Sequence, residues 1–401
     1  MSDIVVIGAG QAGAALAAKL RALGYGGRIA LIGAEPAAPY QRPPLSKAYL
    51  LGEIGLDRLT LRADDFWAEQ GIDLRPATRV TGIDRAGKRV LTEAGETIPY
   101  DMLALTTGSV PRRLPAAMGG DLAGVHTMRS LADADALAPE LVAGRRVLIV
   151  GGGYIGLEAA AVAAKRGLEV TLVEAAPRIL GRVAAPETSD WFRALHLGHG
   201  VRIMEGAALS RLTGDGRVSG ADLADGSRIE ADFVIVGIGI APDTALAEAA
   251  GLALDNGIRT DAQGRTPDPA IWAAGDCASF PWEGAQLRLE SVPHAIDMAE
   301  LVAENMLGAG RDYVPAPWFW SDQYDVKLQI AGLNTGYDRV VVRQAGAARS
   351  HWYYRAGRLI SVDAMNDPRA FMTARRLLAM GRSPDPQAVA DPETDLKALL
   401  A

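Results

Sequence analysis

Two glycine patterns carry the most specific chemistry in this 401-residue sequence. Gly8-x-Gly10-x-x-Gly13 follows the apolar run Ile4–Ile7, and Gly151-x-Gly153-x-x-Gly156 follows Val147–Val150. The first glycine of such a pattern permits a tight turn, and the second lets the backbone approach a pyrophosphate. The third lets helix and strand pack closely, so that the helix N-terminus faces the phosphates. A carboxylate lies downstream of each: Glu35 is 22 residues after Gly13, and Glu174 is 18 residues after Gly156. Those positions suit hydrogen bonds to ribose hydroxyls. A carboxylate at 174 also repels a 2′-phosphate, which favours NADH over NADPH, although Arg178 and Arg182 lie just beyond it.

Other candidate residues read less sharply. Pro43 and Pro44 stiffen the loop that carries Arg42 and Lys47. Arg42 then either neutralises a pyrophosphate or is a solvated cation, and Lys47 either lies near a reactive ring or is solvated too. The small residues of Thr106-Thr-Gly108-Ser, before Arg112, allow close approach of backbone to a ligand. The run Phe233–Val236 into Gly237 suits a wall of a nicotinamide site. Asp276, after a strand, either holds a sugar-alcohol hydroxyl or caps the following turn. His196 and His199 have i,i+3 spacing but no third ligand, and a surface pair is the expectation. No Ser–His–Asp, HExxH or paired-carboxylate arrangement is evident. Hydride transfer needs none of these; it needs a nicotinamide C4 held against an acceptor such as a flavin N5.

Positioning these residues takes two strand–turn–helix units. Strands are expected at Ile4–Ile7 and 28–32, with a helix over 12–23 closed by Gly24. The second fingerprint runs into an Ala-rich helix ending near Gly167, then a strand over 169–173. After residue 240 the chain returns to the first unit, with a strand at 268–274 and a helix over 295–307. The last part differs: runs at 326–333, 339–344, 351–355 and 359–364 read as strands, Ala356-Gly357 as a hairpin turn, and Asp367-Pro368 as a helix start ending at Gly381. The expected domains are therefore 1–114 with 241–317 and 115–240 as two dinucleotide-binding units, and 318–401 as a C-terminal α+β module; the family resemblance given below implies FAD for the first, NADH for the second and an interface role for the third.

Composition sets outer bounds. Apolar residues make up 49% of the chain, and the net charge of −7 argues against nucleic acid as the main partner. Cys277 is the only cysteine, which excludes an intramolecular disulfide, a CxxC pair and a four-thiolate cluster. Met1-Ser-Asp-Ile has no basic n-region, and the apolar window 147–164 contains four glycines and Glu158. No signal peptide or membrane span is expected, and the expected location is cytoplasmic. Between Tyr337 and Arg382 nine arginines face only Asp338, Asp363 and Asp367. This basic island is either a solvated face or a docking surface for an acidic protein.

Arg42-Pro-Pro-Leu-Ser-Lys47, Gly151-Gly-Gly-Tyr-Ile-Gly-Leu-Glu158, Gly275-Asp-Cys-Ala278, Glu290-Ser-Val-Pro293 and Trp318-Phe-Trp-Ser-Asp-Gln-Tyr324 together resemble one family. It is that of the FAD- and NADH-dependent ferredoxin reductases of bacterial cytochrome P450 and Rieske oxygenase systems, the putidaredoxin reductase-like group. The resemblance covers nearly the whole chain and implies a glutathione-reductase-like α/β fold: two Rossmann-type domains and the C-terminal domain. It implies that Gly8, Gly10, Ala12, Gly13, Glu35, Val80, Arg112, Arg129, Asp276 and Val292 contact FAD, with Lys47 and Trp320 beside the isoalloxazine. Gly151, Gly153, Ile155, Gly156 and Glu174 would bind NADH, and Glu158 would sit close to Lys47 and the nicotinamide amide. Ala34 stands where the family has an acidic residue, leaving Glu35 alone for the ribose. The implied partner is a [2Fe-2S] ferredoxin. Reduction of rubredoxin, an NADH oxidase activity, and an NADH-responsive signalling role like that of apoptosis-inducing factor are the other readings. Prolines and the absence of a cysteine in the 42–47 loop disfavour the oxidase.

Overall fold

The computed structural model describes residues 3–400 and divides the chain into two compact units. The first comprises Met1–Gln41, Leu56–Val110 and Ile240–Pro317; the second comprises Arg42–Gly55, Pro111–Gly239 and Trp318–Ala401.

In the first unit five parallel strands lie in the order Ile271–Ala273, Met102–Leu105, Ile4–Ile7, Ile29–Ile32 and Ile72–Arg75. Ile4–Ile7 is central, and all four of its residues are buried, which is why it reads as a continuous apolar run and not as an alternation. The strand Ile72–Arg75 was not anticipated. Its sequence, Ile-Asp-Leu-Arg, is short and half-charged, as suits a sheet edge exposed to water. Helix Gln11–Ala22 packs beside helix Val292–Met306, and Lys19 Nζ lies 3.0 Å from Glu304 of the latter. This second helix starts three residues before the expected Ala295. Ser291 Oγ accepts from the His294 N–H at 3.2 Å, and Pro293 preorganises the first turn.

In the second unit another parallel sheet runs in the order Arg202–Glu205, Glu169–Glu174, Arg146–Val150, Phe233–Val236 and Val125–His126. Helix Tyr154–Lys165 leaves its central strand, so the apolar window around the second fingerprint is a strand turning into a helix. No helix among the described residues is long and apolar enough to cross a membrane. The C-terminal module is a five-stranded antiparallel sheet in the order Trp318–Gln323, Val326–Gly332, Arg358–Met365, Ala348–Arg355 and Arg339–Ala345. Ala356 and Gly357 take φ of 49° and 76° between strands Ala348–Arg355 and Arg358–Met365, as a tight hairpin requires. Asp367 caps helix Pro368–Ala379 by accepting from the Ala370 N–H at 3.0 Å.

A buried polar chain fastens this sheet to helix Pro186–Gly198. Arg349 Nε donates to His351 Nε2 (2.8 Å), so His351 Nδ1–H points to Thr188 Oγ1 (2.7 Å), and Thr188 donates to Asp363 Oδ2 (2.8 Å). Tyr353 OH donates to the same oxygen. Burial pushes His351 down to about 3 and Asp363 up to about 6. These act in opposite directions. Neutral His351 holds fewer protons folded than unfolded, so its contribution is lost as pH falls below about 6.5. Asp363 holds more protons folded, so its contribution grows as pH falls through about 6. His196, likewise lowered by burial to about 4, adds to the loss. The melting temperature is expected to fall from pH 7 to pH 5. Asp363→Asn removes the opposing gain and should steepen that fall, as read by thermal unfolding across the range.

Candidate functional site

Both glycine cradles are shaped by contacts that exclude a side chain. In the first unit Gly8 has φ of 111°, and a Cβ there would lie 2.2 Å from Thr106 O; one on Gly13 would lie 2.0 Å from Gly8 O. In the second unit Gly151 has φ of 108°, and its Cβ would meet Gly237 O at 2.4 Å, while one on Gly156 would meet Gly151 O at 2.1 Å. Gly10 and Gly153 face open space, where a ligand backbone could lie. Each is also the N-cap of its helix, with no side-chain cap and no acidic residue in the first turn. By contrast, Ser130, Ser291 and Asp367 cap other helices through their side chains. Two long helices thus present uncapped N–H groups beside room for a chain, which fits a dinucleotide pyrophosphate at each.

Around the first cradle, Ala12 begins its helix, and Gly275 fits against it: a Cβ on Gly275 would lie 3.0 Å from Ala12 Cβ and 3.7 Å from Ala295 Cβ. This close packing places Asp276 at the turn, where it accepts from Ser109 Oγ at 2.9 Å. Gly108, with φ of 73°, precedes Ser109. Glu35 lies past strand Ile29–Ile32 and accepts from Tyr40 OH at 2.6 Å. Val80 is buried at the start of strand Val80–Asp84, and Val292 opens its helix.

Around the second cradle, Glu174 ends its strand with each carboxylate oxygen held by one backbone N–H: Gly152 at 2.7 Å and Ala176 at 2.7 Å. A carboxylate has further acceptor capacity, so both oxygens keep room for hydroxyl donors. Arg178, which follows this carboxylate in the chain, donates to Ser189 Oγ and Gly181 O. Ile155 is exposed in the first helical turn, and Gly237 follows the adjoining strand Phe233–Val236.

Glu158 lies on the second turn of helix Tyr154–Lys165 and is only 5% exposed. The 3₁₀ turn Pro43–Ser46 presents two donors to one of its oxygens: Ser46 Oγ and Lys47 Nζ each lie 2.8 Å from Oε2. Ser321 Oγ donates to Oε1 at 2.7 Å. The pairing expected of Lys47 and Glu158 is therefore present as a largely buried ion pair with hydrogen bonds to both carboxylate oxygens. Ser46 and Ser321 were missed. Serines are too common in any sequence to signal such a contact, although both lie inside the motifs that carried the family resemblance.

Trp320 lies on strand Trp318–Gln323, half-buried, with its ring 5.5 Å from that of Trp318. Alternation along this strand turns Ser321 toward Glu158 and Phe319 toward Tyr154, whose ring centroid is 5.0 Å away. Arg42 donates to the Arg129 carbonyl at 2.8 Å, so these two cations are tied to one locus of the second unit, and Arg112 is exposed in that unit.

Two expectations need correction. His196 and His199 are not a surface pair: His196 is fully buried and bonds Gln323, and His199 stacks on Tyr324 at 3.6 Å. The basic island does not lie wholly on the surface. Arg343 is 4% exposed and donates to the carbonyls of Val389, Asp391, Pro392 and Thr394, stapling the C-terminal segment. Arg349 is spent on His351. Arg339, Arg355, Arg358, Arg369, Arg375, Arg376 and Arg382 are exposed, and Arg375 stacks over Trp318 at 5.4 Å.

Residues 2–299 match the family described as pyridine nucleotide-disulphide oxidoreductase, and residues 318–400 match a reductase C-terminal family. A ferredoxin–NAD(P)(+) reductase of a Sphingomonas species is 43% identical over 402 residues, spanning 98% of this chain and 97% of that protein. The putidaredoxin reductase of Pseudomonas putida is 40% identical over 408 residues, spanning 100% and 97%. The crystal structure of a covalent putidaredoxin reductase–putidaredoxin complex matches with a TM-score of 0.96 at 39% identity, over 100% of this chain and 98% of that one. The chain belongs to the pyridine nucleotide-disulphide oxidoreductase family, among its ferredoxin reductases.

Proposed function

We propose that this protein takes reducing equivalents from NADH through FAD to a [2Fe-2S] ferredoxin that serves a cytochrome P450 or ring-hydroxylating oxygenase in the cytoplasm. The observation that carries this reading is a pair of glycine cradles in a chain whose one cysteine, Cys277, is buried. Burial also raises the Cys277 thiol above its ordinary range, away from the reactive thiolate. The dithiol route used by disulphide reductases is closed, so electrons leave the flavin directly to an external carrier. When bound, FAD accepts a hydride from NADH and releases electrons one at a time.

The remaining work falls to the chain's own side chains. Gly8 and Gly13, with the N-terminus of helix Gln11–Ala22, bind the FAD pyrophosphate; Glu35 holds the ribose and Asp276 the ribitol. Gly151, Gly153 and Gly156 do the same for NADH, with Glu174 on the adenosine ribose. Glu158, fixed by Lys47, orients the nicotinamide amide. Steady-state rates with a [2Fe-2S] ferredoxin, a rubredoxin and dioxygen test the reading. Ferredoxin is expected to give the highest kcat/KM, with NADH preferred to NADPH; a rubredoxin or oxygen preference would overturn it.

For the partner, the reading places an acidic ferredoxin against the exposed arginines of helix Pro368–Ala379, beside Trp318 and Trp320. Arg376→Glu is expected to raise the KM for ferredoxin about threefold to tenfold, with the effect shrinking as salt rises. Arg343→Ala is expected to act differently: it strands four carbonyl groups and lowers the melting temperature, with little change in KM for the protein that remains folded.

A further inference from the structure

Glu158 is the end of a buried hydrogen-bond chain that begins four side chains away. Tyr324 OH lies 3.1 Å from His196 Nδ1, and His196 Nε2 lies 2.8 Å from Gln323 Oε1. Gln323 Nε2 donates to Ser321 Oγ at 3.1 Å, and Ser321 Oγ donates to Glu158 Oε1 at 2.7 Å. The direction of every link is fixed. Glu158 Oε1 needs a donor, so the one hydroxyl proton of Ser321 goes there, and Ser321 must receive from the Gln323 amide nitrogen. The amide oxygen of Gln323 then faces His196, which must carry its proton on Nε2. This leaves Nδ1 to accept from Tyr324. Burial holds His196 down at about 4, so the neutral tautomer that this order needs persists at neutral pH. Ser321 and His196 are 0% exposed, and Gln323 is 1% exposed, so water does not compete for these partners.

We infer that Ser321 and Gln323 are positioning residues for Glu158: the chain holds one carboxylate oxygen while Lys47 and Ser46 hold the other, and so fixes the plane of the carboxylate. This rests on the proposed role of Glu158 toward the nicotinamide. Strand Trp318–Gln323 supplies both residues, so the module that carries Trp320 also sets the geometry of the NADH-side carboxylate. Each link polarises the next toward Glu158, and loss of any donor leaves a buried oxygen unpaired.

The experiment measures the limiting rate of flavin reduction by NADH, under anaerobic stopped flow, in holoenzyme with Ser321→Ala, Gln323→Met, Glu158→Gln and the Ser321→Ala/Glu158→Gln pair. Ser321→Ala and Gln323→Met are each expected to slow reduction about tenfold, with flavin content and the rate of electron exit to ferredoxin unchanged. Glu158→Gln is expected to be slower still, and adding Ser321→Ala to it should cost less than about twofold more, as expected of residues acting through one group. Multiplicative effects in the pair would overturn action through Glu158. Slow Glu158→Gln with wild-type Ser321→Ala and Gln323→Met would overturn this inference and leave the role of Glu158 standing. A wild-type rate in Glu158→Gln would overturn that role itself.

Discussion

Gly13→Ala is expected to give a colourless protein, and Gly156→Ala a yellow one that NADH bleaches only at high concentration. Each added Cβ meets a carbonyl oxygen of its own turn, at 2.0 Å for Gly13 and 2.1 Å for Gly156. Real Cβ contacts do not approach so closely, and the obstacle is backbone, not a flexible side-chain tip. The turn must open, and the helix N-terminus moves off the pyrophosphate. Overpacking of this kind costs about 1–3 kcal/mol, so each affinity should fall roughly 10-fold to 100-fold. The two substitutions lie in different units, and each should spare the other nucleotide. Absorbance of the purified protein and NADH titration of the flavin signal read both. Loss of flavin from Gly156→Ala would contradict the assignment of the second cradle.

Glu158→Gln is expected to slow flavin reduction by NADH about 100-fold while flavin content stays intact. The amide keeps the shape of the carboxylate and removes its charge. Lys47 then loses its ion-pair partner and is left, among the described residues, with the Pro43 carbonyl at 3.3 Å. Leaving one member of a largely buried pair uncompensated destabilises its position, so Lys47 is expected to swing toward solvent. The loss should appear in the limiting rate more than in the NADH concentration dependence, because in the proposed reading Glu174 and the cradle, which the substitution leaves in place, hold the dinucleotide. An unchanged limiting rate would show that the ion pair is structural.

The two glycine cradles were legible because their geometry is local. Gly8 through Gly13 and Gly151 through Gly156 lie within one turn each, so the spacing in the chain is the spacing in space. Helix starts at Ser291 and Asp367 were equally local, and the first was placed late only because Pro293 was not read as a first-turn residue. What escaped was non-local. Ser46, Ser321 and Gln323 meet Glu158 or its chain from segments far apart in the sequence, and no periodicity marks them. His196 was misread because a histidine pair at i,i+3 looks alike in water and in a core; the partners that meet it, Gln323 and Tyr324, lie 127 and 128 residues away. The arginines between Tyr337 and Arg382 show the same limit. Counting charge cannot separate Arg343, buried and bound to four carbonyls, from Arg376, which faces solvent.

The most direct test is an anaerobic titration of oxidised [2Fe-2S] ferredoxin with NADH in the presence of a catalytic amount of the FAD-loaded protein, read from the visible spectrum of the cluster. A two-electron donor coupled to one-electron acceptors should reduce two clusters for each NADH consumed, and only while the protein is present. A spectrum that stays oxidised while NADH bleaches the protein's own flavin would contradict ferredoxin as the electron acceptor.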